Sequence, residues 1–332
     1  MIDDVAIEKE SELALSESEL VLVNSKLIVT VLPFMGAKIA GIERRKSGTQ
    51  FLQQANRNLL EVELPEYGQS FAPPYASGFD DCFPTVSPCT LDLDGEVVEL
   101  PDHGELWTSR WDVEQTAHGA KLTMFGKQMN YRFTKWIRLE GESVIINYEV
   151  ENLGETAIPY NWSSHPLLAV DEGDEIMLPD EVSDVVVNGT SDDEIGMFGD
   201  RLPWPELSSE LGFRPDSVQY IETEFAGKFF TNSLKNGLAG LYRNKSDESI
   251  YFRFNTEESP YLGIWLCYGG WPESLADREL TVALEPCSSR PDSLQKTIEW
   301  DEQVTLNPGE VKRWKLELSI CDGKPISLTN EL

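Results

Sequence analysis

The sequence predicts an all-β protein, built as one large antiparallel β-sandwich or barrel. Apolar and polar residues alternate along many short segments, which is the period of a half-buried strand. The 24 glycines and 19 prolines are spread along the chain and mark turns between these segments. Helical periodicity is scarce, and no change of composition separates two parts. We therefore expect a single domain over residues 1–332.

The strands follow from alternation on either side of short turns. The first hairpin pairs Leu20–Val23 with Leu27–Leu32. A second pairs residues 131–139 with residues 144–150 through the turn Glu-Gly-Glu-Ser, and residues 311–320 alternate after Asn-Pro-Gly. No fixed-period repeat is evident, which argues against a propeller.

Two polar stretches favour short helices, one over residues 3–15 and one of a turn or two over residues 205–211. We expect residues 1–18 to form an acidic N-terminal extension. Residues 171–210 carry thirteen acidic residues and a single arginine, so this segment is predicted to be a solvated excursion over the surface.

The composition excludes several classes of partner. Lysine and arginine number 27 against 58 acidic residues, a formal net charge of −31, which disfavours nucleic acid and anionic membranes. No apolar run is long enough to span a bilayer, and the acidic N-terminus is unlike a signal peptide. The five cysteines are odd in number and form no C-x-x-C pair. We expect a soluble cytoplasmic protein without disulfides.

The chain has three histidines, and each lies in a different local sequence. His118 lies in a polar turn and is expected at the surface. His103 lies on a loop between proline and glycine, where functional groups are often displayed. His165 ends a strand-like stretch before a proline that favours extended backbone. From these patterns alone, His103 and His165 could each be structural hydrogen-bonding groups or functional ones.

Two carboxylate sites stand out. Glu285 lies inside an apolar, strand-like run, so it should be partly buried and either paired or functional. Burial also raises a carboxyl pKa toward the range of a general base. Asp80 and Asp81 are adjacent in a strand-like segment and should face opposite ways, so that one could line a cleft.

Aromatic residues cluster over residues 264–272, around Trp265. They could fill the core or form a platform for a sugar ring. The chain has no glycine-rich phosphate loop, no G-x-G-x-x-G, no G-x-S-x-G and no H-E-x-x-H. We therefore expect neither a nucleotide cofactor nor a metal site.

Four motifs occur in a recognisable order. The chain reads VLPFMGAKIAGI at 31–42, PDHG at 101–104 before two tryptophans, NWSSHP at 161–166 and VALEPCSSRPD at 282–292. Together they resemble the aldose 1-epimerase (galactose mutarotase-like) superfamily across about residues 20–320. The resemblance implies a large antiparallel β-supersandwich, in agreement with the alternation.

The resemblance also implies roles. Glu285 falls at the catalytic base, His165 at the catalytic acid, and His103 at a second histidine that holds the sugar; Asp80, Asp81 and Trp265 are further candidates for sugar binding. The implied reaction interconverts the α and β anomers of a carbohydrate by proton transfer, without cofactor or metal. The loop after His103 carries Glu105 where the phosphosugar branch of the superfamily tends to place arginine, and the strand before it carries the acidic pair Asp80 and Asp81. We therefore expect a free, non-phosphorylated sugar.

Two alternatives stay open on the same scaffold. One is a carbohydrate-binding protein without catalysis, because a fold does not fix a function. The other is a different sugar-active enzyme, a lyase or a hydrolase, in which Asp80 or Asp81 would supply a second carboxylate beside Glu285.

Overall fold

The protein is all-β, as the sequence predicts. A computed structural model describes residues 12–15, 19–93, 95–274 and 276–325. Strands hold 48% of the described residues and helices 4%. Among the described residues, no helix is long and apolar enough to cross a membrane.

The strands of the first half, in chain order, are β1 (Glu12–Leu15), β2 (Leu20–Val23), β3 (Leu27–Leu32), β4 (Lys38–Arg44), β5 (Thr49–Gln50), β6 (Phe79–Cys82), β7 (Cys89–Leu93), β8 (Glu96–Leu100), β9 (Asp112–Thr116), β10 (Gly119–Phe125), β11 (Tyr131–Glu140), β12 (Ser143–Asn152), β13 (Ile158–Tyr160) and β14 (Ser163–Ala169). Those of the second half are β15 (Glu175–Met177), β16 (Asp184–Thr190), β17 (Arg201–Pro203), β18 (Phe225–Thr231), β19 (Leu238–Arg243), β20 (Glu248–Phe254), β21 (Tyr261–Tyr268), β22 (Leu280–Cys287), β23 (Val304–Leu306) and β24 (Val311–Asp322).

Within the described chain, two large antiparallel sheets face each other. The first has the order β1-β2-β3-β4-β6-β14-β22-β21-β18-β16-β17, with β5 added to β4. The second has the order β15-β19-β20-β24-β12-β11-β10-β9. Alternate residues of the first sheet, such as Ile264, Val282 and Leu284, belong to the apolar core that both sheets share. The intervening residues of the same strands face the opposite side of the first sheet, where the cleft lies.

The predicted hairpins are confirmed in register. β2 pairs with β3, β11 pairs with β12 along ten residues each, and β24 runs antiparallel beside β12. Each of these strands alternates between buried and more exposed residues, because one face packs on the core.

The helix predictions are largely wrong. Residues 3–11 lie outside the described residues, but residues 12–15 form β1, which pairs with β2. Residues 205–211 yield only a 3-10 turn at Ser209–Leu211, with another at Ile221–Thr223. The part of the chain that the structure describes has one α-helix, α1 (Leu294–Glu299), which was not predicted from the sequence. Residues 12–15 form a strand because β2 offers them backbone hydrogen bonds at the edge of the sheet, and these outweigh the weak helix propensity of so short a segment.

The acidic segment 171–210 is more than a surface excursion. It contains β15, β16 and β17, and β16 joins the first sheet beside β18. Three consecutive residues of β16, Val185–Val187, are buried. The acidic side chains lie mainly in the connections around this apolar strand, which is why overall composition hid it.

Candidate active site

Strand register brings His165 and Glu285 to the same level of the first sheet. On β14 and β22, Ser163 pairs with Cys287 and Leu167 pairs with Ala283. His165 and Glu285 are midway between these pairs and therefore lie opposite each other, with side chains on one face. Neighbours on these strands, Leu168 and Leu284, face the shared core instead.

The two side chains leave a short gap. Nε2 of His165 lies 3.8 Å from Oε1 of Glu285, which is too long for a direct hydrogen bond. His165 is 7% exposed and Glu285 is 0% exposed. Among the described residues, Oε1 of Glu285 has no hydrogen-bond partner, whereas Oε2 accepts a bond from Ser163 at 3.3 Å. Oε1 of Glu285 is therefore a buried acceptor without a donor in the described chain, next to an imidazole that lines the cleft.

Burial shifts the pKa values of this pair in opposite directions. It raises the pKa of Glu285, an effect that the positive charge of Lys228 partly offsets. Burial also lowers the pKa of His165 well below its usual value, and the positive charges of His103, Lys228 and Lys38 add to that effect. The two shifts bring the proton affinities of carboxylate and imidazole closer together.

Lys228 is a third member of this cluster that sequence analysis missed. It lies on β18, forms a close buried ion pair with Oε2 of Glu285 and places Nζ 3.6 Å from Oδ1 of Asp292. Burial opposes its charge, but Asp292 and Glu285 outweigh that cost and raise its pKa. A signal was present, because Lys228 interrupts an apolar strand just as Glu285 does, and a buried charge requires a partner.

Gly263 makes room for the ion pair. It pairs with Glu285 across β21 and β22. A Cβ added to Gly263 would lie 3.2 Å from Nζ of Lys228 and 3.3 Å from Oε2 of Glu285. Because glycine has no side chain, the ammonium of Lys228 and the carboxylate of Glu285 can meet next to the backbone of Gly263.

His103 reaches the same site from the loop after β8. Its φ of 58° is rare for a residue with a side chain, and the next residue, Gly104, is also left-handed. Nδ1 of His103 lies 2.8 Å from Oδ1 of Asp102, whose Oδ2 accepts the backbone N–H of Phe71. Burial opposes the charge of Asp102, but the hydrogen bond with His103 outweighs it, so the pKa of Asp102 lies below its usual value. Asp102 therefore orients the imidazole.

Aromatic packing completes the wall. The rings of Phe71 and His103 stack with centroids 4.2 Å apart, and the His103 and His165 rings meet edge to face at 4.9 Å. Both histidines and Trp265 line one cleft of about 820 Å³. The structure brings together His103, His165 and Trp265, which were selected from the sequence, and Glu285 lies opposite His165 on the neighbouring strand.

The aspartates that we expected at the sugar do not line the cleft. Asp81 faces the core between the sheets, where it pairs at 2.9 Å with Lys135 of the second sheet. Asp80 lies beside His165 on the cleft face, but it is 1% exposed and held by Lys38. Both predictions are corrected in the same way: each carboxylate is already engaged by a lysine distant in sequence.

Glu105 has a structural role. It is fully buried and accepts hydrogen bonds from the hydroxyls of Tyr67 and Tyr131 and from the backbone N–H groups of Lys127 and Gln128. It does not line the cleft. Among the described residues, no group of three or more His, Cys, Asp or Glu side chains is placed to hold a metal ion.

Solved structures share this fold over nearly the whole chain. A protein of Escherichia coli K12, named as a candidate aldose 1-epimerase, is similar at a TM-score of 0.68 and 17% identity, covering 92% of this chain and 99% of its own. A galactose mutarotase-like protein from Clostridium acetobutylicum is similar at a TM-score of 0.67 and 13% identity, covering 94% and 98%.

A galactose mutarotase related enzyme from Lactobacillus acidophilus is similar at a TM-score of 0.65 and 15% identity, covering 92% of this chain and 100% of its own. No family model and no curated protein sequence matches the chain. At these identities the likeness establishes the architecture, which is the galactose mutarotase-like fold, as the sequence motifs indicated.

Proposed function

On the galactose mutarotase-like fold, we propose that this protein is an aldose 1-epimerase-type isomerase that interconverts the α and β anomers of a free, non-phosphorylated sugar. The observation that carries the proposal is the 3.8 Å separation of Glu285 Oε1 and His165 Nε2 beside the cleft. The anomeric hydroxyl and the ring oxygen are bonded to one carbon, so their base and acid must lie this close together.

The reaction needs one proton shared by the pair. The Glu285 carboxylate accepts the proton of the anomeric hydroxyl while protonated His165 donates one to the ring oxygen. The bond between the anomeric carbon and the ring oxygen breaks, and the hydroxyl oxygen becomes the aldehyde oxygen. Rotation about the next carbon–carbon bond and closure on the other face reverse both transfers. Closer pKa values ease these transfers because neither group holds the proton too tightly.

His103 and Trp265 bind the sugar in this proposal. Asp102 holds Nδ1 of His103, which leaves Nε2 for a sugar hydroxyl. The indole of Trp265 supplies an apolar wall with a polar edge. The positive charge of Lys228 favours the ionised form of Glu285, so Lys228 acts through the base.

A non-catalytic carbohydrate-binding protein is the second candidate. The complete burial of Glu285 and its close pairing with Lys228 favour it, because that carboxylate is engaged before any substrate arrives. A hydrolase that pairs Glu285 with Asp80 or Asp81 loses support, since lysines occupy both aspartates.

The deciding experiment follows the interconversion of pure anomers by polarimetry and by NMR saturation transfer. We expect Glu285→Gln and His165→Ala each to slow interconversion by about 10²–10⁴-fold, as loss of a positioned acid or base does. His118→Ala is the matched control, because His118 is exposed in the turn between β9 and β10. Wild-type rates in folded Glu285→Gln and His165→Ala would rule out the proposed pair.

We propose the cytoplasm as the compartment. All five cysteines are free in the structure, and three of them are buried in the first sheet. Reduced thiols are typical of cytosolic proteins.

A further inference from the structure

The cleft continues well beyond His165 and Glu285. Along β22, Glu285, Ala283 and Thr281 share one face, and Glu279 directly precedes the strand. At about 3.3 Å per residue, the six steps from residue 279 to residue 285 span ~20 Å. His165, which lies opposite Glu285, and Glu279 both line the cleft. A single pyranose ring therefore fills only part of this length.

Two tryptophans form a wall along the far half. Trp265 pairs across the sheet with Ala283. Trp271 follows on the loop after β21 and meets the ring of Trp265 edge to face at 6.2 Å. The backbone N–H of Glu279 donates to the carbonyl of Trp271 at 3.0 Å, which holds the backbones of these two residues together. Both tryptophans are partly exposed and line the cleft.

A carboxyl oxygen without a hydrogen-bond partner among the described residues lies in the same part of the cleft. Glu279 is 7% exposed, and its Oε2 has no hydrogen-bond partner among the described residues. Burial raises the pKa of Glu279 to about 8, although a hydrogen bond with Gln53 and the charge of Lys38 oppose the shift. At pH 7 this carboxyl is mostly protonated, so it can donate to one sugar hydroxyl and accept from another.

We propose that Trp265, Trp271 and Glu279 form a second sugar subsite, and that the substrate is a reducing oligosaccharide of two or more units. The inference rests on the proposed function, because the acid–base pair acts only on a unit with a free anomeric carbon. The reducing unit therefore lies at His165 and Glu285. The next unit lies against the tryptophans, with its hydroxyls at Glu279.

The experiment compares D-glucose with maltose and cellobiose, which carry the same reducing unit. In the wild type we expect kcat/KM for anomer interconversion to be about tenfold or more higher for at least one disaccharide, equivalent to ~1.4 kcal/mol. Trp271→Ala and Glu279→Ala should bring that ratio toward one. Glu279→Gln should retain it, since an amide also donates and accepts. Phe125→Ala, which removes an exposed aromatic ring from β10, is the control.

A parallel titration of the intrinsic tryptophan fluorescence separates the two proposals. Equal rates and equal affinities for glucose and both disaccharides would overturn the second subsite and leave the proposed isomerase standing. Tighter disaccharide binding that Trp271→Ala abolishes, without any anomer interconversion, would support the subsite and overturn the isomerase. Failure of both disaccharides to bind would overturn the subsite.

Discussion

Buried charges that interrupt apolar strands mark the site at the scale of single residues. Glu285 and Lys228 each lie in a strand whose neighbours are apolar, and the structure joins them in one ion pair. The sequence identified the carboxylate but not the lysine. Removing either partner leaves the other charge buried and unpaired. The informative substitutions are therefore those that remove the charge but keep a side chain of similar size, or keep the charge and change the side chain.

Lys228→Met should shift the pH profile of kcat/KM to higher pH. The charge of Lys228 lowers the pKa of both Glu285 and His165, so its removal raises both values. The pair must hold one proton, and the pH range in which it does so moves upward with those values. Lys228→Arg keeps the charge and should leave the profile near that of the wild type. An unshifted profile in folded Lys228→Met would contradict the assigned role of Lys228.

His165 should make the protein less stable in mild acid. Its folded pKa is lowered by burial, so below its ordinary value of about 6.5 the unfolded chain binds more protons than the native state. The free energy of unfolding should therefore fall as pH drops below ~6.5, by up to ~1.4 kcal/mol per pH unit. Denaturant unfolding between pH 5 and pH 7, a window of about two units around that value, checks the slope.

The variant that tests this pH dependence of the free energy of unfolding is His165→Gln, in which the contribution of the imidazole should disappear. His118→Gln should keep the wild-type dependence, because His118 is exposed. The burial-raised pKa of Glu285 acts in the opposite sense in all three proteins, stabilising at low pH and fading as pH rises. If the wild type and His165→Gln respond equally to pH, burial does not lower the pKa of His165.

A strained loop positions His103 at the scale of structural elements. The left-handed backbone of His103 costs about 1–3 kcal/mol and persists because the surrounding structure holds it. Its N–H donates to the carbonyl of Val86, and the next turn is closed by Gly104 against the backbone of Phe83. The loop fixes where the imidazole stands in the cleft.

Gly104→Ala should destabilise the protein and reduce activity together. Gly104 has a φ of 72°, and an added Cβ would lie 2.2 Å from the carbonyl oxygen of Phe83, so the loop must move. Gly141→Ala is the matched control, because Gly141 has a φ of 56° with nothing within 4 Å of an added Cβ. Both variants carry the left-handed cost of about 1–2 kcal/mol. Thermal unfolding and polarimetry should show the larger loss at Gly104, and equal losses would exclude the contact with Phe83 as the cause.

At the scale of the whole molecule, the cations in and near the cleft decide whether a phosphorylated sugar is accepted as a substrate. Lys228 is engaged by Glu285 and Asp292, and Arg278 is bonded to Glu224 at 2.5 Å. Arg290 does not line the cleft and is bonded to Glu302. The net charge of −31 adds a long-range repulsion that a Debye length of about 8 Å weakens.

We therefore expect kcat/KM to be lower for an aldose 6-phosphate than for the free aldose. The phosphate brings about −1.5 to −2 charges and meets cations already in use. A loss of about tenfold or more corresponds to ~1.4 kcal/mol of unfavourable interaction. Raising the salt concentration should shrink the difference only in part, because buried pairs are screened less than surface charges. A preference for the phosphorylated sugar would refute the expectation.

The fold was predictable from the sequence because its signals are local. The hairpin of β11 and β12 is an example, because its alternating residues and its turn lie within about twenty consecutive residues. Tight turns also fix the register of such hairpins. Short apolar runs inside acidic stretches, such as β16, were hidden, because average composition cannot show a single buried strand.

The sequence by itself determined the all-β architecture and the candidates Glu285, His165 and His103, since chain pattern and motif order carry them. Only the tertiary structure decided which charges meet. Lys228 with Glu285, Lys38 with Asp80 and Lys135 with Asp81 are each at least 42 residues apart. Nothing local specifies such pairs, because sheet order and register choose them when burial forces every charge to find a partner.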